Sequence, residues 1–151
     1  MQGFAILKAM KLQTRWTLIA LAALALDRVL KQLALSGTHV GGDNGLLRFA
    51  FFRNDGIAFS LPFSGPIVWL LSAAILVTVG WLAYKDFKTK HYKRAEAYLF
   101  FVFGACSNLF DRIVYGFTVD YLIFFRISAV NIADGMIIAG ALWLVLKAPK
   151  R

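Results

Sequence analysis

At 151 residues, 60% of them hydrophobic and 17% charged, with a mean hydropathy of +0.66, the chain is too apolar for a soluble domain with a water-facing surface, and a membrane is the simpler solvent. The net charge of +9 would suit a nucleic-acid partner, but no basic face with interleaved polar residues exists, so nucleic acid is set aside as a partner. A single cysteine, Cys106, excludes an internal disulfide and any multi-cysteine metal site; with His39 and His91 far apart and unaccompanied, no metal and no cofactor is expected.

Four apolar segments approach the roughly 17 to 25 residues that cross a bilayer as a helix. The first runs from about Trp16 to Leu35 and must carry Asp27, Arg28 and Lys31 within it or at its end. Its basic lead of Lys8, Lys11 and Arg15, with Ala23-Leu24-Ala25 further on, also has the form of a cleavable signal peptide. Apolar character resumes through Leu30, Leu33 and Leu35, as a continuing helix requires. The segment from Ser36 to Gly65 contains a hydrophobic and aromatic run, Leu46 to Phe52, which reads as a strand ending in the turn signal Asn54-Asp55-Gly56. Pro66 suits the first position of the next helix, and the span from Ile67 to Tyr84 carries no charge. A short basic loop (Lys85, Lys88, Lys90, Lys93, Arg94) leads to the third span, Ala95 to Val114. Alternation of Val119, Tyr121 and Ile123 with Asp120 and Leu122 points to another strand. The fourth span is expected from Val130 to Leu146, ahead of Lys147, Lys150 and Arg151.

Eleven of the seventeen basic residues then lie on one side of a four-span molecule. By the positive-inside rule both termini are cytoplasmic, and segments 36–65 and 115–129 face outward, where a small sheet would sit over the helix ends. The expectation is a single, mainly α-helical membrane domain over residues 1–151, with a small extracytoplasmic β-sheet.

At about 1.5 Å per residue, Asp27 lies about 17 Å along the first span, and Asn108 and Asp111 about 20 and 24 Å along the third. Asn131 and Asp134 open the fourth span from outside, at a similar level. Spacing puts Asn108, Asp111 and Arg112 on one face, and Asn131 with Asp134 on another. An isolated charge near the bilayer centre costs at least about 2.5 to 3.5 kcal/mol, so these groups should share a polar cavity in the outer half of the membrane.

Each has a plainer reading. Asp27 and Lys31, four apart, make a local ion pair, and Asp111 beside Arg112 suits a structural pair within a bundle. Asn108 and Asn131 are ordinary interhelical glue, and Asp120 in an outer segment is ordinarily solvated. Asp134 resists such a reading, being within a helix with no basic neighbour in sequence. Asp43, Asp55, Asp86 and Glu96 read as loop or interface charges. Trp16, Trp69, Trp81 and Trp143 read as interfacial anchors, and Cys106 as a small packing residue.

Five blocks in order resemble the bacterial lipoprotein signal peptidases, also called signal peptidase II. Asp27 followed by Lys31 resembles the first, with Leu30 where threonine often stands. Asn54-Asp55-Gly56-Ile57-Ala58-Phe59 resembles Asn-x-Gly-x-Ala-Phe. Gly104 to Arg112 resembles Gly-x-x-x-Asn-x-x-Asp-Arg, with Ser107 where glycine is usual. Val119-Asp120-Tyr121 resembles Val-Asp-Phe, and Val130-Asn131-Ile132-Ala133-Asp134 resembles Phe-Asn-x-Ala-Asp. The resemblance implies an aspartic endopeptidase of the bacterial cytoplasmic (inner) membrane, active at its outer face. It implies Asp120 and Asp134 as the catalytic pair. Asn54, Asn108, Arg112 and Asn131 would hold substrate or orient the pair, with Asp27, Asp111, Lys31 and Gly56 supporting the site. The substrate implied is a prolipoprotein whose diacylglyceryl-modified cysteine follows the cleavage site, its acyl chains in membrane lipid; the enzyme is expected to act as a monomer.

The chemistry expected of such a pair needs no metal, because adjacent carboxylates resist joint ionisation and one can act as acid while the other is base. A small proton-coupled channel is the main rival, since intramembrane carboxylates equally mark ion paths. A path should reach both faces, whereas the inner halves of spans two to four carry almost no polar residue. A purely structural subunit would leave Asp134 without a role.

Overall fold

The computed structural model describes residues 2–42, 46–56, 66–89, 94–125 and 127–146, the first helix as backbone alone through residue 13. The readings placed on Lys8, Lys11, Asp43, Ile57, Ala58, Phe59, Lys90, His91, Lys93, Lys147, Lys150 and Arg151 fall outside these residues and side chains. Four helices and three strands follow in the order α1 (Gln2–Leu35), β1 (Leu47–Asn54), α2 (Pro66–Lys88), α3 (Ala95–Tyr115), β2 (Thr118–Phe124), β3 (Ser128–Val130) and α4 (Ile132–Leu146). The fold is mostly helical with one small antiparallel sheet. Among the described residues two helices, α2 and α3, are long and apolar enough to cross a membrane, and α4 is a shorter apolar helix of 15 residues.

Polarity is distributed inside out. Leu70, Val77, Ile113 and Val145 are each more than 60% exposed, whereas Asp27, Lys31, Asp111 and Asp120 are 0% exposed. Water would reward the opposite arrangement, and a lipid solvent accounts for this one.

Helices α3 and α4 approach most closely, through glycines. A Cβ on Gly104 would collide with the Ala133 carbonyl oxygen, and one on Gly140 would lie 2.6 Å from the Phe101 nitrogen and 2.7 Å from the Ala97 oxygen. These obstacles are backbone, so the helices would have to part, as at the small-residue interfaces of membrane helices generally. Gly104→Ala and Gly140→Ala are each expected to destabilise the fold by about 1–3 kcal/mol. Thermal unfolding in detergent checks this, and Gly80→Ala, with nothing within 4 Å of its added Cβ, serves as the control.

The sheet has the order β1-β2-β3, both pairings antiparallel. Its central strand is reached through Gly116, whose left-handed backbone (φ 82°) closes α3 with an N–H donated to the Arg112 carbonyl. Two residues later β2 begins. Val119 and Tyr121 turn inward to pack on Ala34 at the C-terminal end of α1, with Leu30, Phe49, Leu122 and Ile132 around them. By strand alternation Thr118 and Asp120 project from the other face.

Several expectations change. The first strand extends to Asn54, two residues past the expected end, and the following turn is closed by the Gly56 N–H donating to Asn54 Oδ1 at 3.0 Å. Val130 belongs to β3, pairing with Leu122, so the last helix starts at Ile132 rather than Val130. Glu96 is buried, in the first turn of α3 where a carboxylate meets the positive end of the helix dipole. Cys106 is exposed, off the buried stripe Gly104, Ser107, Asn108 and Asp111, rather than a packing residue of the core. Asp86 and Asp55 are interface and loop charges as expected, Asp86 accepting from Arg94 at 3.1 Å and Tyr98 at 2.6 Å, and Asp55 pairing with Arg53.

Candidate active site

The N-terminus of α4 leaves orphan backbone donors, as every helix start does. Side chains from three elements take them up. The Ile132 N–H donates to the Tyr121 hydroxyl at 2.9 Å, the Ala133 N–H to Asp27 Oδ1 at 3.2 Å, and the Asp134 N–H to Asn131 Oδ1 at 2.8 Å. Asp134 answers through Oδ2, which accepts the Asn131 N–H at 3.2 Å. Asn131 and Asp134 therefore form a reciprocal capping box, with asparagine and aspartate in the usual serine and glutamate positions.

The same asparagine reaches β2. Asn131 Nδ2 donates to Asp120 Oδ1 at 2.6 Å and to the Val119 carbonyl at 3.3 Å. The other oxygen of Asp120 accepts from Asn54 Nδ2 at 2.8 Å. In each asparagine the carbonyl end is engaged by a backbone N–H, of Gly56 or of Asp134, which fixes which way its amide points. Asp134 Oδ1 accepts from Asn108 Nδ2 at 2.8 Å. Two carboxylates from different elements are thus joined through one side chain, and each also has an amide of its own.

Burial raises the Asp120 carboxyl to about 7, with the negative charge of Asp134 the next largest cause; Asn54, Asn131 and the distant Lys31 pull the other way. Arg112 adds positive charge near both carboxylates. Its guanidinium donates to the Gly56 carbonyl at 3.3 Å and to Ser72 Oγ at 3.4 Å, which ties α3 to the end of β1 and to α2.

Beside the pair lies a second network, buried except at Arg28. Lys31 Nζ is 2.7 Å from Asp111 Oδ2 and 3.2 Å from Asp27 Oδ2, and it donates to Asn108 Oδ1 at 2.8 Å. By engaging that carbonyl, Lys31 commits the Asn108 NH₂ to Asp134. Arg28 completes the charge balance on Asp111 Oδ1 at 2.5 Å. Asp27 also accepts from Ser107 Oγ at 2.6 Å and from the Tyr121 hydroxyl at 2.9 Å. Burial, then the Asp27 charge, push that phenol above its ordinary range. Asp111 Oδ2 accepts the Val119 N–H at 3.2 Å and so holds the start of β2.

All ten residues singled out from sequence lie in these contacts. Two pairings differ from expectation: Asp111 pairs with Arg28 and Lys31 across the helices rather than with its neighbour Arg112, and Asp120 is a buried strand residue rather than a solvated one. Arg28 and Ser72 were missed as participants. Their partners lie 83 and 40 positions away, beyond any local spacing rule.

The comparisons with known proteins concern nearly the whole sequence. The family described as signal peptidase (SPase) II matches residues 19–149. A lipoprotein signal peptidase of Microcystis aeruginosa is 34% identical over 144 residues, covering 89% of this chain and 92% of the relative. Relatives of the same name from Vibrio cholerae and Tolumonas auensis are 33% and 34% identical, each over 87% of this chain and 85% and 88% of their own. Two bacterial membrane enzyme structures determined by the in meso method, at 2.3 and 1.9 Å resolution, superpose with TM-scores of 0.71 and 0.69. They cover 91% of this chain and 94% of theirs at 21% identity, a likeness of fold.

Proposed function

The chain belongs to the signal peptidase II family, and from that premise we propose that it removes the signal peptide from diacylglyceryl-modified prolipoproteins by aspartic catalysis, with Asp120 and Asp134 as the catalytic pair. The observation that carries this reading is Asn131, which hydrogen-bonds both aspartates and caps the helix that bears one of them. It ties a buried carboxylate, Asp120, and a half-buried one, Asp134, into one site.

The pair shares one proton, because burial and mutual repulsion oppose a second ionisation. The ionised member takes a proton from water as the oxygen attacks the scissile carbonyl, and the protonated member donates to the carbonyl oxygen. The tetrahedral intermediate collapses with C–N cleavage, and a proton passes to the departing amine of the modified cysteine. A carboxyl group on the signal peptide and a free amine on the lipoprotein result. The Arg112 guanidinium and the backbone around Gly56 offer a donor and fixed geometry for the substrate peptide. Asn54, Asn108, Asp27, Lys31 and Asp111 orient the pair from outside the reacting atoms.

The polar layer near the outer ends of α1, α3 and α4, the exposed apolar surface and the basic loop after α2 support a four-span arrangement in the inner membrane. Both termini are cytoplasmic and the pair faces outward, where the acyl chains of the substrate remain in lipid. We propose that the protein acts as a monomer. A reporter fused after Arg151 is expected to read as cytoplasmic; a reporter read outside contradicts the topology.

The experiment is a mobility-shift cleavage assay with purified protein in detergent. A diacylglyceryl-modified prolipoprotein peptide is expected to be cut before its cysteine, equally with and without chelator, and the unmodified peptide to be left intact. Abolition by chelator, or equal cutting of both peptides, contradicts the reading.

A pH profile adds a signed expectation. The raised Asp120 carboxyl places loss of the shared proton near neutrality, so kcat/KM falls as pH rises through about 7. It also falls at low pH, where the second carboxylate is protonated and no base remains. A profile that keeps rising from pH 7 to pH 9 contradicts a shared-proton pair.

A further inference from the structure

Among the described residues, one buried side-chain polar atom has no hydrogen-bond partner, the hydroxyl of Thr118. Thr118 is 1% exposed. A hydroxyl left unpaired in such a place costs about as much as a lost hydrogen bond, and valine would fill the same strand position with higher β-propensity and no orphan.

Its position relates it to the aspartate pair in two independent ways. Thr118 and Asp120 are separated by two along β2, so their side chains leave the same face of the strand. Across the sheet, Thr118 stands directly opposite Asn54, and residues paired across two strands also share a face. Asn54 is on the Asp120 face, since its Nδ2 donates to Asp120 Oδ2. The Cβ of Thr118 therefore lies roughly 5 to 7 Å from the Cβ atoms of both these residues, by the ordinary spacings of a sheet.

The neighbouring polar groups are already committed. Both ends of the Asn54 amide are used, by Asp120 and by the Gly56 N–H. The Asn131 amide is taken up by Asp120, Val119 and Asp134. An extended peptide laid across the pair presents backbone carbonyl and N–H groups on each side of the scissile bond, and these need partners once they leave water. The hydroxyl of Thr118 is an uncommitted donor and acceptor on that face.

We propose that Thr118 is a substrate-binding residue whose hydroxyl hydrogen-bonds a backbone amide group of the prolipoprotein beside the scissile bond. This rests on the peptidase reading of the site given above. Asp120 is as closed off as Thr118, so whatever brings a substrate to the carboxylate brings it to the hydroxyl.

The test separates binding from packing, because the two roles predict opposite signs. Thr118→Val keeps the shape and removes the orphan. Its thermal midpoint is expected to match or exceed that of the wild type, while kcat/KM on the lipidated peptide falls about three- to tenfold, the size of one neutral hydrogen bond. Thr118→Ser keeps the hydroxyl and is expected to retain kcat/KM within about twofold, since the same bond can form. Should the valine variant not accumulate, Thr118→Ala against Thr118→Ser gives the same split. Unchanged kcat/KM in the valine or alanine variant overturns the proposal, and so does an equal loss in all three variants, which would mark a packing role. Wild type and Asp134→Asn run in the same assay: failure of the wild type to cleave, or cleavage by the asparagine variant, overturns the peptidase reading itself.

Discussion

Replacing either proposed catalytic aspartate by asparagine is expected to lower kcat by about 10²- to 10⁴-fold, the range over which a positioned proton donor or acceptor acts. The fold should survive. Asp120 accepts from Asn54 and Asn131 through separate oxygens, and an asparagine there keeps one acceptor and opposes the other donor with an NH₂ group. The cost is about 1–3 kcal/mol, set against the burial of a carboxyl that must ionise. The sign of that second term depends on pH. The Asp120 carboxyl lies above its ordinary 3.8, at about 7, so its contribution to stability is complete below pH 4 and is lost as pH rises through 7. Asp120→Asn is therefore least destabilising, relative to wild type, in alkaline solution. Asp134→Asn keeps an acceptor for Asn108 or for the Asn131 N–H, whereas Asp134→Ala removes that half of the capping box as well. Both inactivate, and the alanine variant is expected to unfold first in a thermal melt. A variant with wild-type turnover would exclude that residue from the chemistry.

The second large effect is expected at Lys31. This ammonium is 0% exposed and touches two carboxylates, Asp27 and Asp111, together with Asn108. Lys31→Met matches its length and removes its charge, leaving Asp27, among the described residues, without a cation within an ion-pair distance and Asp111 with Arg28 alone. Removing one member of a buried ionic cluster typically costs about 3–5 kcal/mol, much of it the burial of the charge left behind. Loss of folded protein on size exclusion in detergent, or a large drop in thermal midpoint, checks this. Whatever protein remains folded is expected to turn over slowly. With its carbonyl released, the Asn108 amide is free to invert and to present oxygen rather than NH₂ to Asp134. A Lys31→Met variant as stable and active as wild type would show that the network beside the pair does not hold it.

How much of this was legible in the sequence follows from the range of each signal. The four apolar segments, Pro66 at a helix start and the alternating residues of β2 were readable because their periods are local. Asp134 stood out for a similar reason, since depth along a helix can be counted and it has no basic neighbour in sequence, although the structure also gives it the ordinary role of closing a capping box with Asn131. Asp120 could not be chosen that way. A lone aspartate between two apolar segments looks solvated, and its burial arises only when β2 is flanked by β1 and β3 over the C-terminal end of α1. Cross-helix partnerships were equally hidden. Adjacent Asp111 and Arg112 suggested each other, yet consecutive helical residues point about 100° apart, and Asp111 turns to α1 while Arg112 turns to α2 and β1. Ser107 and Tyr121, which depart from the family pattern, had no assigned role in the sequence. In the structure both hydroxyls end on Asp27, one on each oxygen, and Tyr121 also takes up the first N–H of α4. The boundary error at Val130 has the same origin, since only the pairing with Leu122 shows that it is strand.

The central claim is that Asp120 and Asp134 act jointly on one scissile carbonyl. Its most direct test is a structure of the protein with a lipidated peptide in which that carbonyl is replaced by a secondary alcohol, a stable mimic of the tetrahedral intermediate. The account predicts the hydroxyl within about 2.6–3.2 Å of a carboxylate oxygen of each aspartate, with the diacylglyceryl group toward lipid. An alcohol bound to one aspartate and out of reach of the other, or seated against a different side chain, would contradict it.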